Sequence, residues 1–167
     1  VIVFNGEIYN FLDLKNSYLS KYKFKGGSDT EVILYLYLEF GDKVFSMIHG
    51  MFSIAIYDFR NKKLILARDR MGKKPLYWGL YDNTLLFASE PKALFKHEKF
   101  KKEIDLNSLN KYFQFEYIPT PRSIYKGLNK LEPGHFIEFK NNNIKKIKFW
   151  DIKCQRLLRR EWLQTCP

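Results

Sequence analysis

Val1-Ile2-Val3-Phe4-Asn5-Gly6-Glu7-Ile8-Tyr9-Asn10 is an apolar run that breaks on a polar pair, and it is read together with Ser28-Asp29-Thr30-Glu31 downstream. Val, Ile and Phe form strands, whereas Asn-Gly favours a turn, because Gly lacks a Cβ and Asn tolerates left-handed backbone angles. The expectation is a strand that delivers one polar turn to its own end. Asn5 offers a side-chain amide and Gly6 a backbone N–H that a ligand can approach closely, a pair suited to holding the oxygen of a tetrahedral intermediate. Two carboxylates, Glu7 and Asp29, suit an ammonium group. The plain alternative is a hairpin turn followed by a helix cap.

Outward from that stretch, 11–21 carries Phe11, Leu12, Leu14, Tyr18 and Leu19 at largely helical spacing and predicts a short amphipathic helix. Tyr22-Lys23-Phe24 alternates and predicts a brief strand closed by Gly26-Gly27. Ser28 stands where an N-cap belongs, Glu31 holds the capping-box position, 32–40 supplies the helix, and Gly41 stops it. An acid in the first turn is favoured by the helix dipole by about 0.3–1 kcal/mol without any ligand, which accounts for Glu31.

Residues 42–48 predict a short helix or turn. Four strand-like runs, 51–58, 63–69, 76–80 and 84–88, separated by Arg60-Asn61, Met71-Gly72 and Asp82-Asn83, predict an antiparallel meander. In the first, Phe52, Ile54 and Ile56 alternate with Ser53, Ala55 and Tyr57, and the small residues suit close packing on a second sheet. Arg68-Asp69-Arg70 reads as an ion-pair network holding a turn. Residues 90–95 and 105–113 predict helices packed on the sheets, the second with Leu106, Leu109, Tyr112 and Phe113 on one side. A last hairpin pairs 135–139 with 145–150 across Asn141-Asn142-Asn143. This order of elements is α+β.

Several of these words resemble the glutaminase domain of glutamine-hydrolysing asparagine synthetases, class II glutamine amidotransferases of the N-terminal-nucleophile hydrolase superfamily. They are Phe4-Asn5-Gly6-Glu7-Ile8-Tyr9-Asn10-Phe11, Gly27-Ser28-Asp29-Thr30-Glu31-Val32-Ile33-Leu34, Gly50-Met51-Phe52-Ser53-Ile54-Ala55-Ile56-Tyr57-Asp58, Leu66-Ala67-Arg68-Asp69-Arg70-Met71-Gly72-Lys73-Lys74-Pro75-Leu76-Tyr77, Phe87-Ala88-Ser89-Glu90 and Tyr117-Ile118-Pro119-Thr120-Pro121-Arg122. The resemblance covers 1–152. It implies an αββα sandwich of two antiparallel sheets, with Asn5 and Gly6 as catalytic oxyanion donors and with Asn5, Gly6, Glu7 and Asp29 binding the substrate, L-glutamine. A family member opens Met-Cys-Gly, the Cys becoming the amino-terminal nucleophile, and an Arg further on grips the glutamine carboxylate. Neither word stands in this sequence, so the chain is expected to be an internal fragment truncated at the amino end of the sandwich. Residues 153–167, with Arg156 to Arg160, Trp162 and Cys166, are expected to be a linker or an unrelated tail.

The resemblance further implies that ammonia passes to a synthetase domain, where ATP and Mg activate aspartate for conversion to asparagine. No cofactor or metal is expected in this chain itself, and a homodimer is possible for the full-length enzyme. A related class II amidotransferase with a sugar or peptide acceptor, or a non-catalytic remnant, are the competing readings. Composition narrows the rest. A chain of 167 residues with 46% hydrophobic residues can build one core. The net charge of +11, from 29 Lys+Arg against 18 Asp+Glu, raises nucleic acid as a partner, but no recognition motif accompanies the lysines, and a solvated basic surface is the reading taken. The three histidines, His49, His97 and His135, show no metal-ligand spacing. Two cysteines, Cys154 and Cys166, do not make a secreted disulfide framework, which points to the cytoplasm, and no apolar run is long enough for a membrane span.

Overall fold

The structure, a computed structural model, describes residues 1–152. Strand β1 (Ile2–Ile8) is followed by helices α1 (Phe11–Tyr18), α2 (Asp29–Phe40) and α3 (Val44–Met47), and then by hairpin β2 (Gly50–Asp58) and β3 (Lys63–Arg68). A second hairpin, β4 (Tyr77–Tyr81) and β5 (Thr84–Ala88), precedes a 3-10 turn at Pro91–Lys96 and helix α4 (Leu106–Phe115). Strands β6 (Asn129–Lys130), β7 (His135–Lys140) and β8 (Asn143–Lys148) complete the described chain. The strands form a five-stranded sheet in the order β1-β2-β3-β7-β8 and a three-stranded sheet in the order β5-β4-β6, with every pair antiparallel.

Period-two alternation along β2 divides the molecule into layers. Phe52, Ile54 and Ile56 enter a core with Leu14, Ile33, Leu36, Val44 and Phe45 from the three helices. Ala55, with Leu66 and Ile137 from its neighbours, faces the small sheet across Leu76, Leu131, Trp78 and Phe87. Small residues on one side of β2 therefore do what close sheet packing requires. The α+β sandwich of two antiparallel sheets stands as expected from the sequence.

Four expectations are corrected. The 51–88 segment is not one meander: its two hairpins belong to different sheets, and the chain crosses between them after Arg68. Tyr22-Lys23-Phe24 is not a strand; Tyr22 and Phe24 instead pack their rings on Tyr35 of α2, at centroid distances of 4.4 and 5.1 Å, so tertiary packing explains the alternation. Glu31 does not close a capping box. Ser28 Oγ accepts the Glu31 N–H, but the Glu31 carboxylate accepts the backbone N–H groups of Lys25 and Gly26, and these bonds lower its pKa. Helix α4 does not lay its apolar side on a sheet: Leu106, Tyr112 and Phe113 are exposed, and Ser108 is its buried residue.

Candidate functional site

Strand β1 sets the geometry. Its alternation sends Ile2, Phe4 and Ile8 into the helical core and places Val3, Asn5 and Glu7 on the opposite face, toward the small sheet. Asn5-Gly6 is not a turn at the strand's end, as the sequence suggested. β1 runs through both residues, in register Asn5↔Ser53, Gly6↔Phe52 and Glu7↔Met51. Glycine is required there for a different reason: φ is +153°, and a Cβ would stand 2.0 Å from the Met51 carbonyl oxygen. Pairing energy across the close β1–β2 ladder overrides the turn preference of the dipeptide.

The ladder also decides where the Gly6 N–H points. Val1 and Tyr57 exchange both backbone bonds, and the Tyr9 N–H reaches the His49 carbonyl, so Val1, Val3, Asn5, Glu7 and Tyr9 are the residues bonded to β2. Asn5 therefore turns its carbonyl toward β2, and the trans peptide turns the Gly6 N–H the other way, onto the free edge of the sheet. The next outward N–H, that of Ile8, donates to Asp29 Oδ2 at 3.0 Å. A carboxylate 21 residues away in sequence thus sits on the same strand edge as the Gly6 N–H.

The Asn5 side chain lies beside that edge on the inter-sheet face and donates from Nδ2 to Ser89 Oγ at 3.1 Å, bridging the two sheets. Asn5 and Ser89 line a cleft of about 190 Å³ with Val3, Ser53, Leu76 and Phe87. One hydrogen of the Asn5 amide remains to be donated. The exposed Glu7 carboxylate has no hydrogen-bond partner among the described residues. The arrangement brings together two N–H donors, from the Asn5 side chain and the Gly6 backbone, and one carboxylate, Asp29, with Glu7 on the adjoining face. Such a group can stabilise a developing oxyanion and hold an ammonium. On sequence alone Ser89 has no place in the site: it reads as the start of the 90–95 helix and as part of the word Phe87-Ala88-Ser89-Glu90, whereas the N-cap of the 3-10 turn is Glu90.

The Arg68-Asp69 turn resolves differently. Asp69 is 1% exposed, and its carboxylate accepts the backbone N–H groups of Phe52, Met71, Lys73 and Lys74 at 3.2, 3.0, 2.9 and 2.9 Å. Arg68 donates to the carbonyls of Lys74, Leu131 and Gly72. The turn is held, as expected, but by bonds from side chain to backbone; among the described residues Arg68 and Asp69 make no ion pair. No three His, Cys, Asp or Glu side chains among the described residues gather as a metal site. No helix of the described residues is long and apolar enough to cross a membrane.

A family profile described as "Glutamine amidotransferase domain" matches residues 1–150. The chain belongs to that family. Its fold is shared by a glutamine phosphoribosylpyrophosphate amidotransferase from Bacillus subtilis, on which it superposes with a TM-score of 0.59, at 22% identity, over 89% of this chain and 29% of that one. Among curated relatives, asparagine synthetase [glutamine-hydrolyzing] 3 of B. subtilis is 31% identical over 157 residues, 93% of this chain and 26% of the relative. Putative asparagine synthetase [glutamine-hydrolyzing] 2 of Methanocaldococcus jannaschii is 35% identical over 156 residues, 91% of this chain and 30% of the relative. This amidotransferase domain thus spans between a quarter and a third of the length of these two relatives, and residues 153–167 lie outside both the region the family profile matches and the described residues.

Proposed function

We propose that residues 1–152 are a glutaminase domain that binds L-glutamine and stabilises the oxyanion formed when its side-chain amide is attacked, and that the domain serves a glutamine-dependent asparagine synthetase. The observation that carries the reading is the neighbourhood of the outward Gly6 N–H, the Asn5 amide and the Asp29 carboxylate on one strand edge. Asn5 and Gly6 donate to the oxygen as its charge develops, while Asp29 and Glu7 hold the substrate ammonium. The donors are built into a ladder and a bridge to Ser89, so little reorganisation accompanies the reaction. Residues 1–152 contain no cysteine, so within them the contribution is to binding and charge stabilisation.

Ammonia released with glutamate would be used with ATP to convert aspartate to asparagine. That chemistry is assigned to a synthetase domain, a reading supported by the asparagine synthetase relatives, of whose length this chain spans 26% and 30%. A cytoplasmic location and a homodimeric full-length enzyme belong to the same proposal.

Titrating L-glutamine into the ¹⁵N-labelled protein tests the binding step. The Gly6 backbone and Asn5 side-chain amide signals are expected to move together and saturate, with D-glutamine producing no such change. Saturable binding that leaves both signals in place would remove Asn5 and Gly6 from the site.

A further inference from the structure

A second cleft, of about 210 Å³, opens where the small sheet meets the loop before it, and it is lined by Arg68, Tyr77, Tyr117, Ile118, Thr120 and Lys130. Its chemistry is one-sided. Arg68 is 9% exposed and spends three of its five N–H groups on the carbonyls of Lys74, Leu131 and Gly72. Lys130, half-buried on β6, donates one of its three N–H groups to the Ile118 carbonyl at 2.7 Å. The hydroxyls of Tyr77, Tyr117 and Thr120 make no hydrogen bond among the described residues, and no acidic side chain is among the lining residues. Asp69, the acid adjacent in sequence to Arg68, is saturated by four backbone N–H groups.

Two positive charges therefore share a partly desolvated cleft with three hydroxyls and no acidic side chain in its lining, the Asp69 charge acting on Arg68 from outside that lining. Burial lowers the pKa of both cations, for Arg68 against the opposing pull of the Asp69 charge, and the Arg68 charge lowers that of Lys130 further. What the cleft lacks is an acceptor carrying negative charge. We propose that this cleft binds a small oxyanion, a carboxylate or phosphate group, between Lys130 and the guanidinium of Arg68, with Tyr77, Tyr117 and Thr120 completing its hydrogen bonds. Charge-assisted bonds to two cations and neutral O–H donors suit tetrahedral and planar oxyanions alike. The proposal stands apart from the glutaminase reading: the two clefts have Leu76 in common, but none of the polar residues invoked here belongs to the β1 edge or to the inter-sheet cleft that Asn5 lines.

The test is a titration of the ¹⁵N-labelled protein with inorganic phosphate and, separately, with malonate, chloride holding the ionic strength constant. Saturable shifts of the Lys130 and Thr120 amides are expected. Lys130→Met should weaken binding by about tenfold or more, the loss of a bond between charged partners. Lys130→Arg should keep affinity within about threefold, because it retains the charge. Lys126→Met removes a surface lysine outside the cleft and should change nothing. Tyr117→Phe, at an exposed ring, gives a second reading of a few-fold should Lys130→Met fail to fold. Tighter binding of phosphate identifies a phosphorylated ligand, and tighter binding of malonate a carboxylate. Failure of both anions to saturate, or equal losses for Lys130→Met and Lys126→Met, would overturn the site and leave only a diffuse basic surface.

Discussion

Two places in this protein put an acid and a cluster of polar groups beside an apolar strand, and they use them in opposite ways. At the end of β3, Asp69 gives its carboxylate to four backbone N–H groups and Arg68 gives its guanidinium to three carbonyls, both in the interior. Along β1, the Gly6 N–H faces a free edge, and among the described residues the Asn5 side chain makes one bond, the Glu7 side chain none, and Asp29 of α2 accepts the Ile8 N–H and the Thr30 hydroxyl. Saturation marks the first region as structure. Spare hydrogen-bonding capacity beside a cleft is the ground on which the second is proposed as a place for a ligand.

The largest effect should come from breaking the saturated side. Asp69→Ala would leave the N–H groups of Phe52, Met71, Lys73 and Lys74 without acceptors, at about 1–3 kcal/mol for each buried group. A loss of about 4 kcal/mol or more is expected in urea unfolding, enough to unfold a domain of ordinary stability. A loss below about 1 kcal/mol would mean that water replaces the carboxylate, and the contrast between the two regions would fail.

Asn5→Ala should do the reverse, sparing the fold and damaging the chemistry. In the asparagine synthetase proposed above, kcat with glutamine should fall by about 10²–10³ with modest change in KM, because the donor acts on charge present in the transition state. Asp29→Asn should raise KM for glutamine by about tenfold and leave kcat nearly unchanged, since an ammonium is charged in both ground and transition states. Asparagine formation from added ammonia should survive both changes. Its loss in Asn5→Ala would move Asn5 to the structural side.

What the sequence made legible follows from local rules. The alternation of Phe52, Ile54 and Ile56 with Ser53 and Ala55 located the two faces of β2, and Asn141-Asn142 at positive φ made the β7–β8 turn readable. Ser28 was readable as a cap because its side chain bonds within three residues. What escaped depended on partners far along the chain. Asn5-Gly6 reads as a turn until the β2 ladder pairs it, and the 51–88 strands read as one sheet until Arg68 and Asp69 redirect the chain. The role of Ser89 is an 84-residue contact, which no local pattern encodes. The candidate site was found through its words, and its geometry through the ladder.

Asp58 offers a smaller check on the saturated class. Burial raises its pKa, but the Asn61 side chain and N–H, the Tyr37 hydroxyl and the Arg60 N–H outweigh that and hold it at about 2, below its ordinary 3.8. A depressed folded-state pKa contributes stability that is present above the unfolded value and lost as pH falls through the folded one. After allowance for solvent screening, about 1 kcal/mol should disappear between pH 4 and pH 2. Asp58→Asn should flatten that part of the pH–stability curve; an unchanged slope would show that these bonds do not favour the carboxylate.

The smallest expected effect is the one that sharpens the comparison most. Ser89→Ala removes the acceptor that holds the Asn5 amide across the cleft, yet it touches neither the Gly6 N–H nor Asp29. If the spare donor on Asn5 works because it is preorganised, losing one bond of about 0.5–1.5 kcal/mol should lower kcat by about two- to twelvefold while KM stays within twofold. Ser89→Thr keeps the hydroxyl and should restore most of the rate, whereas a purely packing role would make Thr the worse substitution. In Asn5→Ala the change at Ser89 should add nothing, because the two residues act through one hydrogen bond. Independent, additive losses in the double variant would mean that Ser89 serves the sheets and not the amide. Asn5 would then be positioned by the β1–β2 ladder alone.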